Sequence, residues 1–363
     1  MKIIVTGCAG FIGSHVSEYL LKRGDIVIGI DSMNNYYNIN IKNNNINLLK
    51  RYSNFTFICE NILNSKVVEN FKPDKICHLA SMAGVRYSLE NPCLYIRENI
   101  EGFTYLLSEC VKYNIKYIVY ASSSSVYGLN KNIPFKETDS IEKCNSPYAC
   151  SKRAMEILAS TYNQLYNINT IGLRFFTVYG PRGRPDMAPY KFLNAIMNGE
   201  TFEKYGNGNS QRDYTYIDDI VSGVIASLDN INNISCEIFN LGNSNTISLN
   251  KFIKTCEKVT DKTANYINSG DKLGDVPYTC ADISKAKELL GYNPKTSLVD
   301  GLKNTYNFLK NNKNLYNSTE TEYKYCVLGD CSSQDCHHCF PVKNCNLHKI
   351  CIEEGCCDLY IKK

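Results

Sequence analysis

The chain opens on a short apolar run, Lys2 to Thr6, that passes directly into Gly7-Cys8-Ala9-Gly10-Phe11-Ile12-Gly13 and then into a helical pattern from about Phe11. Glycines at such a junction permit a tight turn, let backbone approach an anion closely, and allow helix and strand to pack, while the helix N-terminus faces the negative charge. A turn of this kind is useful only where a strand hands over to a helix above a sheet, so it predicts a βαβ fold. The next residues agree. Ile26 to Asp31, Phe55 to Cys59, Lys75 to Leu79, Tyr117 to Ser122 and Thr170 to Phe175 read as further strands, with helical patterns between them. Strands separated by helices imply a parallel sheet.

At 363 residues the chain is long enough for one large domain with an appendage, or for two lobes. The pattern predicts a Rossmann-type, doubly wound parallel sheet over residues 1–180, to which 216–245 returns. A smaller substrate-binding lobe over 181–312, a linker over 313–325 and a Cys-rich tail over 326–363 follow. Net charge is +4, with Lys and Arg scattered rather than clustered, so no nucleic-acid partner is expected. No apolar run reaches membrane-spanning length and the first residues already read as a strand, which makes the cytoplasm the expected location.

Asp31 ends the second strand, where a carboxylate can accept from the ribose hydroxyls of a dinucleotide and would repel a 2′-phosphate; NAD is therefore expected over NADP. Asn61 and Ile62, after the third strand, are candidates for the adenine. Ser122-Ser123-Ser124-Ser125 stands at the C-terminal end of a buried strand, the edge where open α/β sheets bind ligands. Tyr148-x-x-x-Lys152 follows at the start of the next helix, and a spacing of four puts both side chains on one face. A phenol has a pKa of about 10, so a tyrosine base near neutrality needs a depression of roughly three units, on the order of 4 kcal/mol. A neighbouring ammonium and a cationic nicotinamide both act in that direction. Tyr306-x-x-x-Lys310 repeats the spacing without such surroundings.

Several ordered stretches then carry a resemblance: TGCAGFIGSH, HLASMAGVRYS, YASSSSVYG, SPYACSK, LRFFTVYGPRGRPDMA and RDYTYIDDI, over residues 1 to about 310. Together they resemble the extended short-chain dehydrogenase/reductase family of nucleotide-sugar epimerases, and within it most closely the UDP-glucuronate 4-epimerases. The resemblance implies that Gly7, Gly10 and Gly13, with Phe11 and Ile12, hold the NAD pyrophosphate and Asp31 the ribose. It implies Ser123, Tyr148 and Lys152 as the catalytic set, the lysine also gripping the nicotinamide ribose. Leu79, Ala80, Asn99, Ser122 and Phe175 would line the cofactor and sugar sites, Ser124 the sugar, and Arg212 and Asp275 the UDP moiety. It also implies a homodimer built on two helices per subunit, one around 95–113 and one from about Tyr148. Two departures stand out: Asn61 replaces the family's usual Asp, and Ser81-Met82 replace the usual small residue and Gln before Ala83-Gly84.

Relatives that dehydrate or decarboxylate place acids just after the catalytic hydroxyl, where this chain has Ser124 and Ser125; simple epimerisation at C4 is favoured. Arg182 and Arg184 could hold a C6 carboxylate, with Thr177 adding a hydroxyl, or could bind diphosphate or brace the lobes. Arg86 is a further candidate near the sugar. The open readings are UDP-glucuronate, then UDP-glucose or UDP-N-acetylglucosamine, and, from a different class, a non-catalytic nucleotide-sugar binder. No metal site is expected in the catalytic part. The tail carries eight cysteines between Cys326 and Cys357, with Cys336-x-x-Cys339 near His337 and His338. Disulfide cluster, zinc site and unstructured extension all remain open for it.

Overall fold

The computed structural model describes residues 1–270 and 276–316. Its strands are β1 (Lys2–Thr6), β2 (Ile26–Asp31), β3 (Phe55–Cys59), β4 (Lys75–His78), β5 (Tyr117–Ser123), β6 (Asn169–Phe175), β7 (Thr177–Tyr179), β8 (Thr201–Tyr205), β9 (Gln211–Tyr216), β10 (Cys236–Leu241), β11 (Thr246–Ser248) and β12 (Asn265–Ser269). Seven of them make one sheet in the order β10-β6-β5-β4-β1-β2-β3. All its pairings are parallel. Strands covered on both faces read as continuous apolar runs, and Ile3, Ile4 and Val5 of β1 are wholly buried. The last strand of the sheet, β10, arrives after the helix Ile217–Asn230.

Strand order reverses at β1, which lies between β2 and β4, so the crevice at its C-terminal end is where a ligand belongs. The loops after β1, β4, β5 and β6 open on that edge. Over it lie a three-stranded sheet, β11-β9-β7, and the two-stranded pair β12-β8. Three elements position the site. The helix Phe11–Lys22 starts without a side-chain cap, leaving its N-terminus to the crevice. The helix Pro147–Tyr166 is started by Ser146, whose Oγ accepts from the Ala149 amide at 3.1 Å, with Pro147 fixing its first turn. Between them, Ile96–Glu101 is a π-helical turn that carries Asn99 into the interior.

Candidate active site

Gly7 has φ +70°, and a Cβ there would lie 2.8 Å from the Ala80 amide nitrogen. A Cβ on Gly13 would lie 2.1 Å from the Gly7 carbonyl oxygen, which is backbone and cannot move aside. Only glycine makes this turn, and its shape is the cradle a dinucleotide pyrophosphate requires. At the C-terminal end of the neighbouring strand β2, Asp31 accepts from the Ala9 amide at 3.1 Å and the Met33 amide at 2.9 Å. Lys42 lies 3.8 Å from the same carboxylate and donates to Asn34. The glycine turn and Asp31 share one long cleft of about 980 Å³ with Asn61, Ile62, Leu79, Ala80 and Phe175. These residues fit a bound NAD.

The same cleft continues over the strand ends to Ser123, Tyr148 and Lys152. Ser123 neighbours the Tyr148 phenol and acts to lower its proton affinity, and Ser123 Oγ donates to Ser125 Oγ at 3.2 Å. Ser123 Oγ also accepts from the Ser125 amide at 3.1 Å. Lys152 is 1% exposed and donates to the Ala121 carbonyl oxygen at 2.8 Å. Burial pulls its ammonium down to about 7, with Glu156 pulling the other way. Burial also pushes the Tyr148 phenol up, against the neighbouring Ser123 and the Arg184 charge. The depression expected from sequence is therefore not supplied by the protein groups by themselves, because the lysine that should lower the phenol is itself penalised for its charge. Tyr306 and Lys310 sit on the helix Leu298–Asn311, away from the cleft.

At the far end lie Ser124, Thr177, Arg86, Arg184 and Arg212. Arg86 is stacked on Tyr205 at 5.0 Å, and Arg212 donates to the Gln211 carbonyl oxygen at 3.0 Å. Arg184 grips Asp186 through Nε at 3.0 Å and Nη2 at 2.6 Å, donates to the Tyr36 hydroxyl at 3.2 Å, and lies over the Tyr36 ring at 5.1 Å. Lys42, Tyr36 and Asp186 are cleft residues that sequence reading missed. Only Asp186 carried a signal there, its place two residues after Arg184.

Three expectations need correction. Arg182 does not line the cleft: it is 7% exposed, donates to His15 at 3.2 Å and Glu18 at 2.7 Å, and so braces the nucleotide helix, the bracing role left open for it. Its backbone lies in the left-handed region, with φ +60°. Asn99 is not a cleft residue either. It accepts from the Met82 amide at 2.7 Å and donates to the Met82 carbonyl at 3.0 Å and Ser151 Oγ at 2.9 Å, tying a cleft wall to the catalytic helix. Ser122 reaches the cleft, but its hydroxyl donates to Glu156 at 2.6 Å, since strand alternation points it opposite to Ser123. Asp275 and the tail residues Cys336 and Cys339 lie outside the described residues.

Residues 4–305 match the family described as GDP-mannose 4,6 dehydratase. An uncharacterized protein of Methanocaldococcus jannaschii is 46% identical over 318 residues, 86% of this chain and 97% of its own. A UDP-glucuronate 4-epimerase of Thermodesulfobacterium geofontis is 42% identical over 320 residues, 87% of this chain and 98% of its own. Among solved structures, the UDP-glucuronic acid 4-epimerase from Bacillus cereus, in complex with UDP-glucuronic acid and NAD, superposes with a TM-score of 0.82. It is 38% identical, over 86% of this chain and 99% of that one.

Proposed function

The chain belongs to the GDP-mannose 4,6 dehydratase family of extended short-chain dehydrogenases/reductases, and from that premise we propose that it is an NAD-dependent UDP-sugar 4-epimerase acting on UDP-glucuronate to give UDP-galacturonate. One observation carries the reading: Tyr148, beside Ser123 and one helical turn from Lys152, shares a cleft with the glycine cradle and with Arg184. Bound NAD would supply the hydride acceptor and donor and, while oxidised, a positive charge beside the phenol. The chain's own residues do the rest. Gly7, Gly10 and Gly13 hold the pyrophosphate and Asp31 the ribose. Ser123 holds the C4 hydroxyl, Tyr148 removes its proton as C4 becomes a ketone and returns it after the sugar has presented its other face, and Lys152 keeps the phenol acidic.

The uronate end rests on Arg184 and Thr177. A 4-keto uronate is a β-keto acid that loses carbon dioxide when its carboxylate stands perpendicular to the carbonyl plane, and a guanidinium grip opposes that rotation. Ser124 and Ser125 offer no acid for dehydration, which separates this chain from the activity its family is named for. A neutral UDP-sugar is favoured by one observation, that Arg184 already has a carboxylate partner in Asp186. Incubation of the purified protein with UDP-glucuronate, followed by chromatography, tests the reading: UDP-galacturonate is the expected product. Turnover of UDP-glucose that survives Arg184→Ala, with UDP-glucuronate left unchanged, overturns it in favour of the neutral sugar.

A homodimer belongs to the proposal. Leu89, Ile96 and Ile157 are 40%, 46% and 53% exposed and share one shallow groove beside the helix Pro147–Tyr166. A second copy would cover that apolar face. No helix among the described residues is long and apolar enough to cross a membrane. The cytoplasmic location expected from sequence remains part of the proposal.

A further inference from the structure

The proposed chemistry leaves one buried cluster unused. Glu156 stands one turn beyond Lys152 on the same helix and is 4% exposed. Its Oε1 accepts from Ser122 Oγ at 2.6 Å and Arg174 Nε at 2.8 Å, and its Oε2 from Arg174 Nη2 at 2.9 Å and Arg153 Nη1 at 3.1 Å. Arg174, 2% exposed, donates through Nη1 to the Tyr127 hydroxyl at 2.9 Å, which donates in turn to Asn240 Oδ1 at 2.7 Å. Each partner adjoins the site. Ser122 immediately precedes Ser123 on β5, and Arg174 immediately precedes the cleft residue Phe175 on β6.

Among the described residues no carboxylate forms an ion pair with Lys152, so its counter-charge must act from beyond contact. The groups around it are few. Its own helix brings Tyr148 and Glu156, β4 brings His78, β5 brings Ser123 and the Ala121 carbonyl, and β6 brings Arg174 through Glu156. His78 is held neutral by burial and by the lysine. Among the described residues Glu156 is thus the anion that acts on the ammonium, and burial acts against it.

We propose that Glu156 is a positioning residue of the reaction that acts through Lys152 and Ser123: its carboxylate is the counter-charge that keeps the buried lysine an ammonium beside Tyr148, and its grip on Ser122 fixes the strand end that carries the reacting hydroxyl. This rests on the epimerase reading of Tyr148 and Lys152. A buried ion pair kept for stability alone has a different signature, because replacing both partners with apolar residues of similar volume restores such a fold.

The experiment compares wild type with Glu156→Gln and with the double variant Glu156→Met, Arg174→Met. Three properties are read: thermal stability, kcat against pH, and the 295-nm tyrosinate titration of Tyr148, taken as the difference from Tyr148→Phe in each background. The double variant is expected to fold. In the double variant the loss of the Arg174 cation offsets the loss of the carboxylate, so the shift is read in Glu156→Gln: its high-pH limb of kcat, where Lys152 loses its proton, is expected to move down by roughly one unit or more, because only the opposing charge has been removed from a buried ammonium. In the same variant the Tyr148 tyrosinate is expected to appear at higher pH. Glu156→Asp in the Arg174 background should bring both back toward wild type. An unmoved limb together with an unmoved titration in Glu156→Gln overturns the proposal and leaves a structural brace. Glu156→Gln keeps an acceptor for Ser122, so the two curves are read even should the double variant fail to fold. If wild type turns over no UDP-sugar, the epimerase reading fails, and the titration still decides the role of Glu156.

Discussion

Lys152 and His78 are buried together, and burial pulls the proton affinity of both down, to about 7 and about 3. His78 is wholly buried, stacked on Phe103 at 5.2 Å, with Nδ1 paired to Thr6 Oγ1 at 2.9 Å. Its folded-state pKa is depressed, so the unfolded chain binds more protons between about 6.5 and 3, and stability is lost as pH falls through that window. Denaturant midpoints between pH 7 and 4 should show a decline to which this residue adds up to about 1.4 kcal/mol per pH unit, a slope that His78→Asn should flatten. Two substitutions reach the site directly. Gly13→Ala forces a Cβ to 2.1 Å from the Gly7 carbonyl oxygen and should weaken NAD binding by about 3 kcal/mol, roughly 100-fold, read from the nucleotide released on denaturing purified protein. Tyr148→Phe should lower kcat by roughly 10²- to 10⁴-fold while UDP-sugar binding, measured by calorimetry, persists. Glycine turn, Asp31, serine and tyrosine-lysine pair were all legible, because each is a residue type at a fixed distance from a strand end. Arg182 and Arg184 were not separable. They lie two residues apart with the same chemistry, yet the folded chain brings one to Glu18 and the other to the cleft.

The helix Pro147–Tyr166 has a face for each task. Tyr148 and Lys152 face the cleft, Met155 and Ala159 the core, and Ile157 and Leu165 stand 53% and 65% exposed. In the proposed homodimer a second copy would cover these apolar residues. Ile157→Glu with Leu165→Glu should therefore shift the protein from dimer to monomer in sedimentation velocity; an unchanged dimer would move the interface elsewhere. The strands and this helix were readable in advance because β-branched runs, Ser146 and Pro147 are local signals. The π-helical turn at Ile96–Glu101 was not. It exists because Asn99 bonds across to Met82 and Ser151, contacts that join residues far apart in the chain.

For the molecule as a whole, the described fold closes with the short helix Lys313–Tyr316, where the Tyr316 ring packs at a tilt of 31° against Tyr190, centroids 5.2 Å apart. Relatives matched over 97% and 98% of their own length align with 86% and 87% of this chain, and the family match ends at residue 305. A chain ending at Tyr316 should accordingly keep its turnover within about threefold of full length, a difference under 1 kcal/mol. The doubly wound sheet was legible from strand and helix alternation, while the sugar's identity was not, since it depends on how Arg184 divides itself between Asp186 and a substrate carboxylate. The most direct test of the central claim uses UDP-glucuronate deuterated at C4. The account predicts UDP-galacturonate that keeps the deuterium at C4, with no net formation of NADH, because the hydride leaves and returns within one cleft. Unchanged substrate, or an epimerised product whose label has been lost to water, would contradict it.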